Sequence, residues 1–238
     1  MKDQKELIHG KPWKYLIVLD ACRYDIFSTL VWEFLDGDLS EAWSPGSCTI
    51  EWLEATWTGK YDIVYVSANP FVNSKVPVKG FFGRKHFLRV IDVWDFGWDE
   101  KLATVPPKNV SESVPRVEKH RVVVHYIQPH FPPAFENPYM SVYVLDGRKP
   151  SLDTPLMRDK RLSDLVKEGV LSLDEYKKLY IENLRTVLKE VAELVPELDG
   201  KVVITSDHGE FLGESGMFLH PPGINHPILR KVPWFKVK

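Results

Sequence analysis

Residues 201–210 read KVVITSDHGE, and this stretch decides the fold. Its first half is a continuous apolar, β-branched run without polar alternation, which suits a strand buried on both faces of a sheet. Its second half changes character at once, with an aspartate, a histidine and a glycine standing where the strand must end. A carboxylate at the end of an apolar strand is costly unless it is paired, hydrogen-bonded or bound to a metal. Side by side, Asp207 and His208 offer an oxygen and an imidazole nitrogen to one cation such as zinc or manganese. Gly209 then permits a sharp backbone turn with no side chain crowding the site.

Working outward, Leu179, Leu184, Val187, Leu188, Val191 and Leu194 recur at helical spacing just upstream. They predict a long amphipathic helix that begins near Ser172, in a capping box with Glu175, and ends before Asp199 and Gly200. Near the amino terminus the pattern returns. YLIVL at 15–19 is a second unbroken apolar run, closed by Asp20, and ACRYDIFSTLVWEFL at 21–35 then reads as an amphipathic helix. SPGSCT at 44–49 is turn-like and leads into IEWLEATW at 50–57, a helix of about two turns that Gly59 ends. Further strands are expected at 62–66, 87–94 and 121–127, and 96–119 reads as loop. Strands alternating with helices, with acids at strand ends, indicate an α/β fold whose mainly parallel sheet is sandwiched by helices. In such sheets, sites form outside the carboxyl ends of the strands.

Composition narrows the function classes. The 238 residues, 44% of them hydrophobic, suffice for one domain with a sizeable core. With 31 basic and 33 acidic side chains, no bulk charge favours a nucleic acid. Cys22 and Cys48 are too few for a disulfide framework. No stretch approaches the roughly 18 apolar residues that cross a bilayer, and no signal-peptide architecture opens the chain, so a cytoplasmic location is the expectation.

Asp20 and Asp207 each end an apolar strand and are expected at one edge of one sheet, where they can meet. Either alone would read equally well as a helix cap. Thr49 is the candidate nucleophile, because helix amino termini favour anions and a metal on its oxygen would make an alkoxide accessible. A threonine cap is the plain alternative, with Ser47 and Cys48 as rivals by position. Of the histidines in VVHYIQPHFPP, His125 ends a strand and His130 lies in the loop beyond, which makes His130 the better candidate to contact a phosphoryl oxygen or a second metal. His220 and His226 follow the SDHGE strand in the same way, whereas His86 has no supporting context. Arg23 and Lys60 are possible anion contacts.

Taken together, VLDACRYD (18–25), SCTIEWLEATWTGKY (47–61), HYIQPHFPP (125–133) and SDHGEFLGESGMFLH (206–220) resemble the alkaline phosphatase superfamily, in particular its sulfatase-like branch and the phosphoethanolamine transferases. The resemblance implies an alkaline-phosphatase-like core over residues 1–238, as a single catalytic domain without a further subdomain. It also implies that Asp20, Thr49, Asp207 and His208 hold a divalent metal, zinc or manganese ahead of calcium or magnesium. By the same resemblance, His130 and His220 contact substrate or a second metal. Sulfatases proper carry CxPSR, whose cysteine becomes formylglycine; here Cys48 is followed by TIEW, and it is Thr49 that stands ten residues before Gly59. The resemblance therefore implies phosphoryl transfer through Thr49 on a small-molecule, glycan or lipid-head-group ester. Sulfate-ester hydrolysis and a non-catalytic metal-containing binding module, using the eight tryptophans, are the alternatives.

Overall fold

In a computed structural model, the structure describes residues 2–116, 118–140 and 161–238. An eight-stranded sheet organises them, in the order β1-β3-β10-β7-β2-β6-β4-β5. The strands are β1 (Lys2–Asp3), β2 (Tyr15–Leu19), β3 (Gly37–Trp43), β4 (Tyr61–Ser67), β5 (Phe87–Asp92), β6 (Arg121–Tyr126), β7 (Val202–Ser206) and β10 (Lys231–Val237). Only β10 runs against the rest. A separate two-stranded ribbon pairs β8 (Phe211–Leu212) with β9 (Phe218–Leu219).

The unbroken apolar runs lie at the centre. β2 sits between β7 and β6, with Leu19 opposite both Ser206 and Tyr126, so Asp20 and Asp207 emerge together at one edge. Alternate β2 residues serve two cores. Tyr15, Ile17 and Leu19 pack on one face, with Leu184, Val187, Leu188 and Val191 of the long helix α5 (Leu173–Leu194). Leu16 and Val18 pack on the other, with Leu7 and Ile8 of α1 (Gln4–Gly10) and Trp52 and Leu53 of α3 (Thr49–Thr56). Ser172 and Glu175 form the expected capping box of α5.

Several expectations shift in detail. The helix predicted over 21–35 is α2 (Tyr24–Leu30), prolonged by a 3-10 turn at Val31–Glu33. It starts late because Ala21 takes a left-handed backbone, φ 57°, which turns the chain off the end of β2. The strand predicted over 87–94 stops at Asp92 and passes into a helical turn at Val93–Phe96. Within 96–119, read as loop, lies α4 (Pro107–Glu112), with Pro107 at its first turn; Val117 lies outside the described residues. Neither β3 nor β10 was expected. The sequence GDLSEAW of β3 carries few apolar residues because residues 37–41 alternate between half-buried and exposed and only Ala42 is fully buried, leaving no buried stripe to read. A short helix α6 (Pro227–Arg230) precedes β10. No helix among the described residues is long and apolar enough to cross a membrane.

Candidate active site

At the carboxyl edge of the central strands, four groups predicted from widely separated segments converge. Thr49 Oγ1 donates to Asp207 Oδ2 at 2.8 Å and stands 3.2 Å from His208 Nε2. His208 Nε2 in turn lies 3.3 Å from Asp207 Oδ2 and 3.7 Å from Asp20 Oδ1. All four residues are buried. Thr49 is not a helix cap: Cys48 holds the cap position and Thr49 begins α3, with its hydroxyl directed into the cluster.

The local backbone holds these groups in place. Ala21, in its left-handed conformation, donates its N–H to Asp207 Oδ1 at 3.1 Å, and the His208 N–H donates to the same oxygen at 2.9 Å. Strain of this kind persists where the surroundings over-determine it. His208 Nδ1 lies 2.8 Å from the Gly209 carbonyl, which can only accept, so Nδ1 carries the proton and Nε2 presents a lone pair to the carboxylates. Burial, reinforced by nearby His220, pushes the His208 pKa well below its ordinary value and keeps the ring neutral. Gly209 has a reason other than the expected turn: a Cβ there would meet the Ile228 carbonyl oxygen at 2.0 Å, so glycine is needed for close approach to α6.

Asp20 accepts from Asn69 Nδ2 at 2.7 Å through Oδ2, while its buried Oδ1 has no partner. Burial and the neighbouring Asp207 charge push its pKa well up. Among the described residues, neither carboxylate is paired with a lysine or arginine. Two buried carboxylates, an orphaned oxygen, a neutral imidazole with an inward lone pair and a hydroxyl are the donor set of a divalent cation, and the residues present fit one.

A second cluster lies beside the first. His130, Glu210 and His220 bring one donor atom each within 4.8 Å of one another. His220 Nδ1 is 2.6 Å from Glu210 Oε2, and the His220 ring lies 4.3 Å from that of His208 and 5.1 Å from that of His130. Burial acts to depress His220, but the Glu210 carboxylate outweighs it and the pKa is raised. His130 Nδ1 is 2.6 Å from the Phe131 carbonyl, and the His130 backbone N–H donates to the Asp20 carbonyl at 3.2 Å, which ties the loop to the inner cluster. Glu210 was missed in the sequence although it sits within SDHGE, because nothing in the pattern there shows that this acid is buried.

The other candidates separate from the site. Arg23 is held by Asp25 at 2.7 Å and by Glu214, so its guanidinium braces the loop after β2. Ser47 donates to the Pro221 carbonyl and to Glu51, and Cys48 has a pKa raised by burial; neither side chain joins Thr49 at Asp207. His226 caps α6, His86 stacks on Phe81, and Lys60 is exposed. His125, ranked below His130 in the sequence, is wholly buried, with Nε2 3.8 Å from Asp20 Oδ2 and 3.9 Å from Asp207 Oδ2.

No protein-family model matches the chain, and no curated protein matches it. Solved structures do. The soluble domain of lipooligosaccharide phosphoethanolamine transferase A from Neisseria meningitidis is similar at 15% identity and TM-score 0.53, over 93% of this chain and 75% of that one. Phosphonate monoester hydrolase of Agrobacterium radiobacter is similar at 12% identity and TM-score 0.58, over 95% and 68%. The C-terminal periplasmic domain of EcEptC from Escherichia coli, in complex with Zn, is similar at 13% identity and TM-score 0.51, over 100% and 75%. These likenesses bear out the alkaline-phosphatase-like fold expected from the four motifs.

Proposed function

We propose that this chain is a divalent-cation-dependent enzyme that transfers or hydrolyses phosphate esters through Thr49. The observation that carries the reading is the convergence of the Thr49 hydroxyl, Asp207 and His208 within 2.8 and 3.2 Å at the first turn of a helix. Asp20, Thr49, Asp207 and His208 would hold the cation, and zinc or manganese suits their mixed oxygen and nitrogen donors. Such an ion supplies a Lewis acid that lowers the hydroxyl pKa and offsets charge on the transferred group. The similar proteins include a phosphoethanolamine transferase and a phosphonate monoester hydrolase, which fits a small phosphate-ester or lipid-head-group substrate.

The residues divide the work. Thr49 Oγ1 already donates its proton to Asp207 Oδ2, so that proton has an acceptor as the bond from Oγ1 to phosphorus forms and the bond to the leaving oxygen breaks. The leaving oxygen needs a proton in return, and His220, whose pKa the Glu210 carboxylate raises, stands beside His208 to give it. Thr49 opens the first turn of α3, so the favourable end of the helix dipole lies on the side where charge develops on the transferred group. Water or an acceptor hydroxyl then attacks phosphorus, giving its proton to the now neutral His220, while the bond from phosphorus to Thr49 Oγ1 breaks and Asp207 returns the proton to that oxygen.

Incubating the metal-loaded protein with an aryl phosphate, a phosphodiester and an aryl sulfate, followed by mass spectrometry of the peptide bearing Thr49, tests this. The expected result is a phosphorylated Thr49 and turnover of a phosphate ester. Thr49→Ala should lose turnover while retaining metal; full activity in that variant would rule out the nucleophile.

A further inference from the structure

His125 is a buried titratable residue that the mechanism above leaves unused. It lies on β6 opposite Val18 of β2, one position back from the sheet edge where Asp20 emerges. Tyr65, on the neighbouring strand β4, meets its Nδ1 at 2.8 Å. A buried histidine bonded to a tyrosine is ordinarily packing, and the other nitrogen is what sets this one apart. His125 Nε2 is buried with no partner, and so is Asp20 Oδ1, one of the carboxylate oxygens beside it. Two orphaned polar atoms in one small volume are rare in a folded protein.

The spacings say what would satisfy them. His125 Nε2 stands 3.8 Å from Asp20 Oδ2 and 3.9 Å from Asp207 Oδ2. That is too long for a hydrogen bond, whose heavy atoms lie about 2.7–3.2 Å apart. It suits two donors on one ion: bonds of about 2.0–2.2 Å to zinc separate neighbouring ligands by roughly 3–4 Å, depending on the angle between them. The same carboxylates also stand near His208 Nε2, Asp207 Oδ2 at 3.3 Å and Asp20 Oδ1 at 3.7 Å, so two imidazoles approach the pair. One donor atom from each of Asp20, His125 and Asp207 lies within 4.8 Å of the others.

We propose that His125 Nε2 is a ligand of the cation, joining Asp20 and Asp207, and that Tyr65 is the positioning residue that fixes the ring. The inference rests on the cation-dependent reading above. With Nδ1–H directed at the Tyr65 oxygen, Nε2 presents its lone pair to the ion, the arrangement in which a ligating histidine is usually held by a group behind it. The consequence is selectivity. A second imidazole draws the site away from magnesium and calcium, which prefer oxygen, and toward zinc.

Cobalt, a spectroscopic stand-in for zinc, tests this on the full-length protein in a His220→Ala background, which disables the second cluster. Wild-type ligands should give a ligand-field absorption band and tight binding. His125→Gln should shift the band and weaken cobalt by more than the roughly 10–100-fold typical of outer partners, whereas Tyr65→Phe should weaken it by about 10-fold with the band in place. A folded His125→Gln protein with unchanged affinity and band overturns the assignment and leaves the cation reading intact. Should His125→Gln fail to fold, pulsed EPR of the copper-loaded His125 protein counts the bound imidazoles: two support the assignment and one overturns it. Failure of the parent protein to take up cobalt, zinc or copper would sink the cation-dependent reading and this inference with it.

Discussion

The two clusters at the sheet edge are neighbours in space and opposites in construction. Asp20, Asp207 and Thr49 hang from the ends of adjacent central strands and the first turn of α3, and all are buried. His130 and His220 hang from loops, and the His220 side chain keeps 22% of its surface exposed. Strand register fixes the inner distances, because Leu19 opposite Ser206 leaves Asp20 and Asp207 no freedom to separate. The outer cluster is held instead by loop contacts, among them the bond between His220 Nδ1 and the Glu210 carboxylate, the backbone tie from the His130 N–H to the Asp20 carbonyl, and the bond from Asn183 to the His130 carbonyl. In the proposed reading, the rigid cluster carries the bond-making chemistry and the looser one meets a substrate that must enter and leave.

Breaking the inner cluster should therefore cost most. Asp207→Asn removes the acceptor of the Thr49 proton and a ligand of the cation together, and kcat should fall by about 10³-fold or more. Calorimetric zinc titration of the same variant should show the affinity falling with it. A variant that keeps zinc affinity and most of its turnover would place the chemistry elsewhere.

The outer cluster should respond more mildly and through pH. Glu210 holds the pKa of His220 up against burial, so the protonated ring persists above the ordinary histidine value near 6.5. Activity that needs this acid is full below the raised pKa and fades as pH rises through it. Glu210→Gln removes the raising charge, so the alkaline limb of kcat/KM should move to lower pH, with a loss of roughly 10–100-fold at neutral pH, near the lower range for a general acid. An unmoved limb would remove His220 from proton transfer while leaving the inner cluster untouched.

This contrast also explains what could be read from the sequence. Asp20 and Asp207 were legible because each ends a short, strongly strand-forming segment, YLIVL and VVITS, of the kind that marks a central strand. Glu210 and the importance of His125 were not legible. Glu210 follows a glycine in a loop, where no periodicity indicates burial, and His125 reads as one more residue of a strand until β4 places Tyr65 behind it. The amino-terminal contribution was hidden for a similar reason. Gln4 lies in a polar opening stretch, yet it is buried and donates to the Ser206 carbonyl at 2.6 Å and Thr205 Oγ1 at 2.8 Å, while Trp52 Nε1 donates to its side chain at 2.9 Å. It thereby ties the helix of Thr49 to the strand of Asp207. Gln4→Ala leaves these partners unmet in the interior and should cost about 1–3 kcal/mol in denaturant unfolding.

The smallest effect belongs to Arg23, which braces the outer side of the site without entering either cluster. Burial tends to raise the pKa values of Asp25 and Glu214, but hydrogen bonds from the Arg23 guanidinium outweigh it, and both are lowered. Carboxylates depressed in the folded state bind fewer protons there than in the unfolded chain. Their stabilising contribution is thus present above the ordinary values of 3.8 and 4.5 and is lost as pH falls through the lowered ones. Arg23→Gln removes the depression, so the acid limb of stability should move to higher pH. At neutral pH the change should be slight, because the Asp25 side chain is 61% exposed and water screens its share of the pair. Thermal melts at pH 3 to 5 and at pH 7 separate the two regimes. A loss that is equally large at neutral pH would show that Arg23 also holds the Glu210 loop, whose carbonyl lies 3.4 Å from its guanidinium, and the outer cluster would then be more firmly built than its loops suggest.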